Sequence, residues 1–376
     1  MIAWEIVFWL CVALLVYAQI GYPLLLAALA RMRRARPAAP PADELPTVSL
    51  IVAAHDEGAV IARKVANALA LDYPRERLEV VVASDGSTDG TVLEATRAGA
   101  HHVLDLERGG KIRAQDAAVA RSRADIVAFS DANSTWETDA LRELVSAFAD
   151  DKVGYACGQV RFVNDEDATN QEGLYWRYEM ALRALESRLL SVTGGNGAIY
   201  ATRREAYIEV DPIMGHDLSF PFNMVKRGWR AVYVPQARAT EKMVPSLEGE
   251  FARKRRMMSH AWPIVLRGGL LSPRGYPPLY ALMIASHRVL RYAAPFLHLG
   301  ALVASFVLGA SHWVYLVALA LQLGLILAAM LGRVVPLRPL LVIRYYVLTT
   351  ASVAAGLWDW LRHGTPAGWE AAEGTR

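Results

Sequence analysis

The sequence predicts an α/β domain, built around an open sheet, that lies between membrane-spanning helices. In the middle of the chain, short apolar runs rich in Val and Ile alternate with stretches of helical spacing. Both ends are apolar over lengths that suit a bilayer, and 54% of the 376 residues are hydrophobic. The formal net charge of +3 offers no reason to expect nucleic-acid binding. Two cysteines, Cys11 and Cys157, suggest neither a disulfide framework nor a cysteine metal site.

The first 30 residues form an apolar segment that is long enough for one transmembrane helix. A cluster of four arginines follows within residues 31–36. Because positive charge flanks membrane spans on the cytoplasmic side, we expect the N-terminus outside the cell and the next domain in the cytoplasm. Residues 31–46, which combine these arginines with several prolines, are predicted to be a stiff linker.

Residues 47–247 are predicted to form the α/β domain. Four strand-like runs follow one another: "TVSLIVAA", "LEVVVASD", "ADIVAFSD" and "VGYACGQVRFV". Helical segments separate them: "AVIARKVANALALD", "TVLEATRAG" and "DALRELVSAFAD". This alternation predicts a doubly wound sheet, whose ligands bind beyond the carboxyl ends of the strands. Polar residues gather at those ends, among them Glu57, Asp85 and Asp131.

The turn after the first strand, "AAHDEG", lacks the pattern G-x-G-x-x-G that binds a dinucleotide. The sequence also contains no G-x-x-x-x-G-K-[ST] phosphate loop. A nicotinamide-dependent enzyme and a P-loop NTPase are therefore disfavoured. A phosphate bound at this sheet would need a divalent cation or basic side chains to balance its charge.

The C-terminal part of the chain predicts a surface helix followed by three more membrane spans. Residues 248–290 contain "EFARKRRMMSHAWPIVL", where basic and apolar residues alternate as in a helix that lies at the membrane surface. Residues 291–361 hold three apolar spans, and residues 362–376 form a tail. The spans are approximately Tyr292–Leu308, Trp313–Leu331 and Leu340–Trp360. We expect a multi-pass protein of the cell membrane with a cytoplasmic α/β domain, while the side of the C-terminus stays open.

Seven motifs, spread over about residues 47–262, resemble those of the membrane-bound family 2 glycosyltransferases. They are "VSLIVAAHDE", "VVVASDGSTDGT", "GGKIRAQDAAVARS", "FSDANS", "GGNGAIYATRRE", "GHDLSFPFNMVKRGWRAVYVP" and "RKRRM". The resemblance implies a GT-A fold, an α/β architecture with a Rossmann-like nucleotide-binding sheet. It also implies inverting transfer of a sugar from a nucleotide diphosphate donor, with UDP as the expected nucleotide.

By position in these motifs, the resemblance assigns contacts with the donor nucleotide. Ala54, Glu57 and Asp85 would line the nucleoside pocket, with Asp85 at the base and Glu57 at the ribose. Carboxylates suit these roles because they accept hydrogen bonds from ribose hydroxyls and a base N–H. Lys111 would lie near the donor as a compact positive charge. The alternatives are turn chemistry for Asp85 and a solvated side chain for Lys111.

Asp131 matches the first aspartate of the family's D-x-D motif, and Asn133 stands in place of the second. In that motif a carboxylate holds the Mg²⁺ or Mn²⁺ that bridges the diphosphate. An amide oxygen is still a ligand for a hard cation, but it carries no charge. The resemblance therefore implies that Asp131 and Asn133 hold Mg²⁺ or Mn²⁺ weakly. A plain turn at the end of the strand is the alternative for Asp131.

Asp217 matches the catalytic base of the family. Inverting transfer needs one carboxylate within hydrogen-bond reach of the acceptor hydroxyl. His216 precedes it where an acidic residue is usual, and a protonated His216 would make Asp217 a weaker base. The alternative is that Asp217 caps the helix that begins near it.

The motif "RKRRM" stands where many family members have Q-x-x-R-W. Arg253 and Arg256 match its polar positions and would bind the diphosphate through their guanidinium groups. Met257 replaces the aromatic residue, so a stacking surface near the acceptor is lost. Trp262 or Trp176 could supply that surface instead, or could serve as packing or as a membrane-interface anchor.

The loop 193–198, "TGGNGA", is the predicted acceptor contact. Gly195 and Asn196 would let the backbone approach the acceptor closely, because glycine presents no side chain. A tight turn alone would explain the same glycines.

Together these assignments predict an enzyme that adds sugars to a growing polysaccharide, which it could also export through its spans. The first alternative is transfer of one sugar to a lipid-linked acceptor at the membrane surface. The second is a non-catalytic membrane module that binds nucleotide sugars, which Asn133 and the missing tryptophan motivate. The expected partners are a nucleotide sugar, a polysaccharide or lipid acceptor and the bilayer. No nucleic acid is expected, and the oligomeric state stays open.

Overall fold

A computed structural model describes residues 1–32, 44–163, 171–242, 244 and 246–365, without the side chains of residues 171–175. Most of the predicted linker and of the predicted tail lies outside these residues. Within them, eight strands form one mixed sheet in the order β3-β2-β1-β4-β7-β6-β8-β5. The strands are β1 (Val48–Ala54), β2 (Leu78–Asp85), β3 (His102–Leu106), β4 (Ile126–Asp131), β5 (Thr135–Trp136), β6 (Val153–Val163), β7 (Tyr200–Arg203) and β8 (Arg230–Lys242).

The first half of the sheet confirms the predicted doubly wound arrangement. β1 pairs in parallel with β2 and β4, and β2 pairs in parallel with β3. The second half is mixed because β7 runs antiparallel to both β4 and β6. The sequence patterns do not indicate β3, β5 and β7, which are only five, two and four residues long. They also miss β8, where Pro235 interrupts the strand pattern.

The helices of the described residues alternate with these strands and then continue beyond the sheet. They are α1 (Ile2–Val16), α2 (Tyr22–Met32), α3 (Ile61–Leu69), α4 (Thr91–Arg97), α5 (Lys111–Arg121), α6 (Ala140–Ser146), α7 (Gln171–Leu189), α8 (His216–Lys226), α9 (Leu247–Leu266), α10 (Pro278–Met283), α11 (Leu290–Leu308), α12 (Trp313–Leu331) and α13 (Arg338–His363).

Both faces of the sheet are buried. Leu50 and Ile51 are neighbours in β1, and because successive side chains of a strand point to opposite faces, they belong to two different apolar clusters. One cluster includes Leu144 of α6, and the other includes Ala118 of α5 and Phe220 of α8. A strand covered on both faces needs an uninterrupted apolar run, which is why β1 shows no alternation in sequence.

Four helices are long and apolar enough to cross a membrane, judged by length and composition within the described residues. They are Ile2–Met32, Pro278–Leu308, Trp313–Leu331 and Arg338–His363. The first joins α1 to α2 through a π-helical turn, and the second joins α10 to α11 in the same way. The second begins before the predicted start at Tyr292, because His287 and Arg288 in its π-helical turn interrupt the apolar pattern.

Helix α9 packs against the membrane helices along one face. Trp262 and Ile264 are buried in an apolar cluster with Tyr22 of α2, Tyr280 of α10 and Trp360 of α13. Since α9 follows β8 in the chain, this shared core joins the candidate membrane helices to the end of the sheet where β8 and β5 lie.

Candidate active site

The carboxyl ends of β1, β2 and β4 meet at one edge of the sheet. Ala54, the last residue of β1, pairs with Ser84 of β2, so Asp85 follows immediately on that side. On the other side Ala53 pairs with Asp131, the last residue of β4. Asp85 and Asp131 therefore flank the end of β1, in the position where α/β sheets bind ligands.

Asp85 fastens the loop that borders the predicted nucleoside pocket. Its side chain is buried and accepts hydrogen bonds from the backbone N–H groups of Gly109 (2.7 Å) and Gly110 (2.9 Å). These bonds tie Asp85 to a loop more than 20 residues further along the chain, not to its own turn, and a contact with a base stays a prediction. Ala54 and Glu57 are buried at the neighbouring strand end and turn, so the three predicted nucleoside residues lie in one region.

A cavity of about 450 Å³ opens beside this loop. Arg108, Gly109, Gly110 and Arg113 line one wall, and residues 211–213 line the other. The two arginines place positive charge on the first wall, which suits an anionic ligand such as a phosphorylated nucleoside, while Asp211 places a carboxylate on the second wall.

Lys111 and Asp131 form an ion pair at the end of β4. Burial acts to lower the pKa of Lys111, but the charge of Asp131 and their hydrogen bond outweigh burial, so that pKa is raised. Gly197 lies against the pair, since a Cβ there would be 3.5 Å from Lys111 Nζ and 3.6 Å from Asp131 Oδ2. Asn133 is half-buried in the turn that follows. The structure thus brings the predicted phosphate and metal residues together beside the predicted acceptor loop.

Two further charged residues lie near this pair and escape prediction from the sequence. Lys64 of α3 is buried and donates a hydrogen bond to the backbone carbonyl of Ser134 (3.0 Å). Burial lowers the pKa of Lys64 to about 7, against the charges of Asp131 and Glu241. Burial and the charge of Asp131 raise the pKa of Glu241, in β8, to about 7. The signal for Lys64 was available, because it is a lysine on the buried, otherwise apolar face of α3.

Asp217 lies in the first turn of α8, whose N-cap residue is Gly215, so capping does not explain its carboxylate. That carboxylate makes no hydrogen bond or ion pair to any residue that the structure describes. The backbone carbonyl of Asp217 accepts a hydrogen bond from the N–H of Gly195 (2.6 Å), and the charge of the side chain acts on Lys111 and His260. A half-buried carboxylate with unoccupied lone pairs has what a general base needs.

His216 is buried beside this carboxylate and is neutral. Its Nδ1 lies 2.8 Å from the Tyr200 hydroxyl, and its ring stacks on Phe220 with the centroids 3.9 Å apart. Burial and the charge of Lys111 lower the pKa of His216 to about 3. The expected weakening of Asp217 by a cationic His216 therefore does not arise near neutral pH.

The loop 193–198 touches the membrane helix that begins at α10. A side chain at Gly194 would overlap the guanidinium group of Arg288. Arg288 also donates hydrogen bonds to the carbonyl (3.2 Å) and the hydroxyl (3.0 Å) of Thr193. Arg288 is a residue that sequence reasoning missed, although an arginine within an apolar span is a signal of function.

Gly195 and Asn196 serve the loop in different ways. A side chain at Gly195 would overlap the hydroxyl of Tyr155, so the glycine permits a close approach. The Asn196 side chain donates to the Gly158 carbonyl (2.8 Å) and accepts from the Ile199 N–H (2.9 Å). The amide nitrogen and the amide oxygen of Asn196 are therefore both used to hold the loop, so an acceptor contact at Asn196 would come from its backbone.

Arg253 and Arg256 lie one turn apart on α9. Glu250 holds Arg253 through two hydrogen bonds of 2.7 and 2.8 Å, whereas Arg256 is exposed. Burial lowers the pKa of His260, on which the charges of Arg256 and Asp217 also act. The exposed arginine of the motif therefore borders the same region as the predicted base.

The prediction that Trp262 forms an acceptor surface is corrected by its position. Trp262 is 6% exposed, and its indole N–H donates to the carbonyl of Val353 in α13 (2.9 Å). Its ring packs against Tyr292, with the centroids 5.6 Å apart. The ring faces the membrane helices because its helix buries that side against them. Trp176, the other candidate, is half-buried and donates to the Val160 carbonyl (2.7 Å).

Few side-chain oxygen atoms at this edge of the sheet could bind a divalent cation. Within the described ranges, no three His, Cys, Asp or Glu side chains come together as a metal site. Asp131 offers a carboxylate and Asn133 an amide oxygen, both suitable for Mg²⁺ or Mn²⁺. Glu241 offers Oε1, a buried oxygen with no hydrogen-bond partner among the described residues. This set fits a hard cation whose remaining ligands come from a diphosphate.

Comparisons with known proteins agree with this geometry. Residues 46–259 match the family described as "Glycosyltransferase like family 2". The chain is 34% identical over 221 residues to a β-monoglucosyldiacylglycerol synthase of Synechocystis sp., over 53% of this chain and 45% of that protein. It is 24% identical over 254 residues to a poly-β-1,6-N-acetyl-D-glucosamine synthase of Staphylococcus aureus, over 64% of this chain and 61% of that protein. The chain spans about half the length of the curated relatives it matches.

One solved structure is similar over nearly the whole chain. It is a mannosyltransferase of Pyrobaculum calidifontis in complex with GDP-mannose and Mn²⁺, and the two sequences are 25% identical. The match covers 95% of this chain and 99% of that chain, with a TM-score of 0.73. The similarity therefore includes the four candidate membrane helices as well as the α/β domain.

Proposed function

This chain belongs to the glycosyltransferase-like family 2, and from that premise we propose inverting transfer of a sugar from a nucleotide diphosphate donor at a membrane surface. The transferase class and the GT-A fold follow from the family and from its named relatives. The proposal of an inverting mechanism depends on one observation, the environment of the Asp217 carboxylate. Its carboxylate has no partner among the described residues, and its charge acts on Lys111 at the donor end.

The donor would lie along the carboxyl edge of the sheet. Its nucleoside would occupy the region of Asp85 and Glu57, and its diphosphate would lie toward Lys111 and Asp131. A divalent cation held by Asp131 and Asn133 would offset the negative charge of the diphosphate. Arg256, exposed on α9, would add a guanidinium group on the other side.

The transfer itself needs one proton acceptor. Asp217 would take the proton from an acceptor hydroxyl while that oxygen forms a bond to the anomeric carbon. The bond from this carbon to the diphosphate breaks on the opposite face, and the nucleoside diphosphate departs with the electron pair. Lys111 would balance the charge that develops on the departing oxygen, because a fixed cation in a half-buried site acts strongly. No covalent sugar–protein bond is formed, so the anomeric configuration inverts.

The acceptor side of the proposed site adjoins the membrane. The loop 193–198 is bound to the Asp217 backbone through Gly195 and to Arg288 of a membrane helix through Thr193. An acceptor that reaches the base across this loop would come from the bilayer surface, which supports transfer of one sugar to a lipid acceptor. Similarity to a β-monoglucosyldiacylglycerol synthase, whose name describes a lipid that carries one glucose, supports the same acceptor class.

A growing polysaccharide is the second candidate acceptor. Similarity to a poly-β-1,6-N-acetyl-D-glucosamine synthase favours it, and export through the spans would then follow. For either acceptor, the arginine cluster after the first span supports a cytoplasmic location of the α/β domain. Nucleotide sugars are made in the cytoplasm, so the donor would be available there.

Product length and donor choice test the proposal. The purified protein in lipid nanodiscs would be given UDP-glucose, UDP-N-acetylglucosamine or GDP-mannose, with membrane lipids as acceptors. We expect nucleotide release with one donor, a loss of release with EDTA that Mn²⁺ reverses, and lipids that carry one added sugar by mass spectrometry. A ladder of long products would support the polysaccharide instead. No turnover with any donor would contradict the proposal and favour the non-catalytic module.

A further inference from the structure

Glu241 is a carboxylate that the proposed transfer leaves without a role. It lies near the end of β8, next to Thr240, which pairs with Thr135 of β5. β5 follows the turn after Asp131, and a hydrogen bond from the Ser134 N–H to the Asp131 carbonyl (3.2 Å) closes that turn. The sheet therefore brings Glu241 to the edge where β4 ends, although the two acidic residues are far apart in the chain.

One oxygen of this carboxylate lacks a donor. Oε1 of Glu241 is buried and accepts no hydrogen bond from any residue that the structure describes. Such an oxygen is costly to bury unless something compensates its charge. The nearby cations are engaged elsewhere, because Arg253 is bound twice to Glu250 and Lys111 is paired with Asp131. The oxygen therefore keeps its capacity to bind a ligand that the described residues do not supply.

The charges around Glu241 point to the kind of ligand. Asp131 lies within electrostatic reach of Glu241, and so do the basic side chains of Lys111, Arg253 and Lys64. Two nearby carboxylates disfavour each other's ionisation, and a cation placed between them removes that conflict. A hard divalent cation prefers carboxylate and amide oxygens, which are the donors that this edge presents.

We propose that Glu241 is a second carboxylate ligand of the divalent cation that accompanies the donor, in place of the charge that Asn133 lacks. The inference rests on the proposed function, because that function supplies the diphosphate that completes the coordination. It revises the expectation from sequence, since the cation would be held by two negative charges rather than by one. The ligands would come from β8 and from the end of β4 with the turn after it, two separate parts of the chain.

Binding of Mn²⁺ tests this assignment without relying on turnover. The free Mn²⁺ would be measured by electron paramagnetic resonance with the full-length protein, in the presence of UDP or GDP. We expect Glu241→Gln to weaken Mn²⁺ binding by about 10–100-fold, as loss of a group that supports a metal does. Adding Asn133→Asp to Glu241→Gln should recover most of that loss. Glu248→Gln is the matched control, because Glu248 is exposed and pairs only with Arg344 among the described residues.

Glu241→Asp keeps the charge but shortens the side chain, and it serves if the glutamine variant does not fold. As a ligand, the shortened carboxylate should still lose at least about tenfold in Mn²⁺ affinity. Unchanged Mn²⁺ affinity in either variant would overturn the proposal. A lower melting temperature with unchanged Mn²⁺ affinity would show that Glu241 serves the fold as a counter-ion and not as a metal ligand. If the native protein binds no Mn²⁺ with either nucleotide, the metal-assisted donor site of the proposed function fails, not merely the role of Glu241.

Discussion

Replacement of Asp217 by asparagine separates a role as base from a role in the fold. The carboxylate makes no hydrogen bond or ion pair to any described residue, so an amide of equal size removes no contact. The bond from the Gly195 N–H goes to the backbone carbonyl of Asp217 and is retained. We therefore expect the free energy of unfolding to change by less than about 0.5 kcal/mol, as for substitutions that disturb no packed or paired group.

The expected loss of rate is much larger than this change in stability. A positioned general base contributes about 10²- to 10⁴-fold to a rate. At about 1.36 kcal/mol for each factor of ten, the variant should lose about 2.7–5.4 kcal/mol of transition-state stabilisation. The ion pair of Lys111 and Asp131 stays intact, so nucleotide affinity should remain within about twofold, because the lost interaction belongs to the transition state.

The assay combines three measurements on protein in nanodiscs. Nucleotide release gives kcat, calorimetry gives nucleotide affinity, and thermal unfolding gives stability. Asp139→Asn is the control, because Asp139 is exposed at the start of α6, and its side chain does not cap that helix. A kcat for Asp217→Asn within tenfold of the native value would refute the assignment of the base. A large fall in melting temperature would refute the claim that the carboxylate has no structural partner.

Two further substitutions probe the loop and the buried imidazole. Gly195→Ala should lower stability by about 1–3 kcal/mol through overlap with Tyr155, and should lower kcat by displacing the base. Gly324→Ala in α12, where a Cβ would have no neighbour within 4 Å, should lower neither stability nor kcat, and equal effects in both variants would contradict this account. His216 has a pKa of about 3 when folded and an ordinary value of 6.5, so the unfolded chain binds more protons between these values and stability rises with pH across that window. His216→Gln, which can still bond to Tyr200, should lose less stability than the native protein between pH 7 and pH 5 in thermal unfolding. The pH–rate profile of this variant near neutrality should be unchanged. A steeper loss of stability in the variant than in the native protein would show that the folded imidazole is charged.

Local sequence patterns were sufficient to predict much of this protein's organisation. Apolar length predicts the membrane spans, and apolar, β-branched runs predict β1, β2 and β4, because hydrophobic length and period are properties of neighbouring residues. The polar residues that end these strands predict one shared edge, since parallel strands align their carboxyl ends. The short strand β7 escapes this reasoning, because four residues carry too little pattern and its antiparallel place depends on partners elsewhere.

The candidate site also has residues that the sequence predicts and features that only the structure shows. The family resemblance singled out Asp131, Asp217 and Lys111 by their positions in its motifs, and their roles stay predictions. Only the tertiary structure could show that Asp217 has no partner among the described residues, that Asp85 holds a loop, and that Trp262 faces the membrane helices.

What the sequence determined by itself was a set of helices long and apolar enough to cross a membrane, the α/β domain between them and the residues at the ends of its strands. The tertiary structure decided which distant side chains share that edge. Lys64 and Glu241 come from the two ends of the domain, and both lie within electrostatic reach of Asp131 only because β8 and α3 meet beside β5. Burial and charge pairing depend on such strand order, and no local pattern of residues encodes that order.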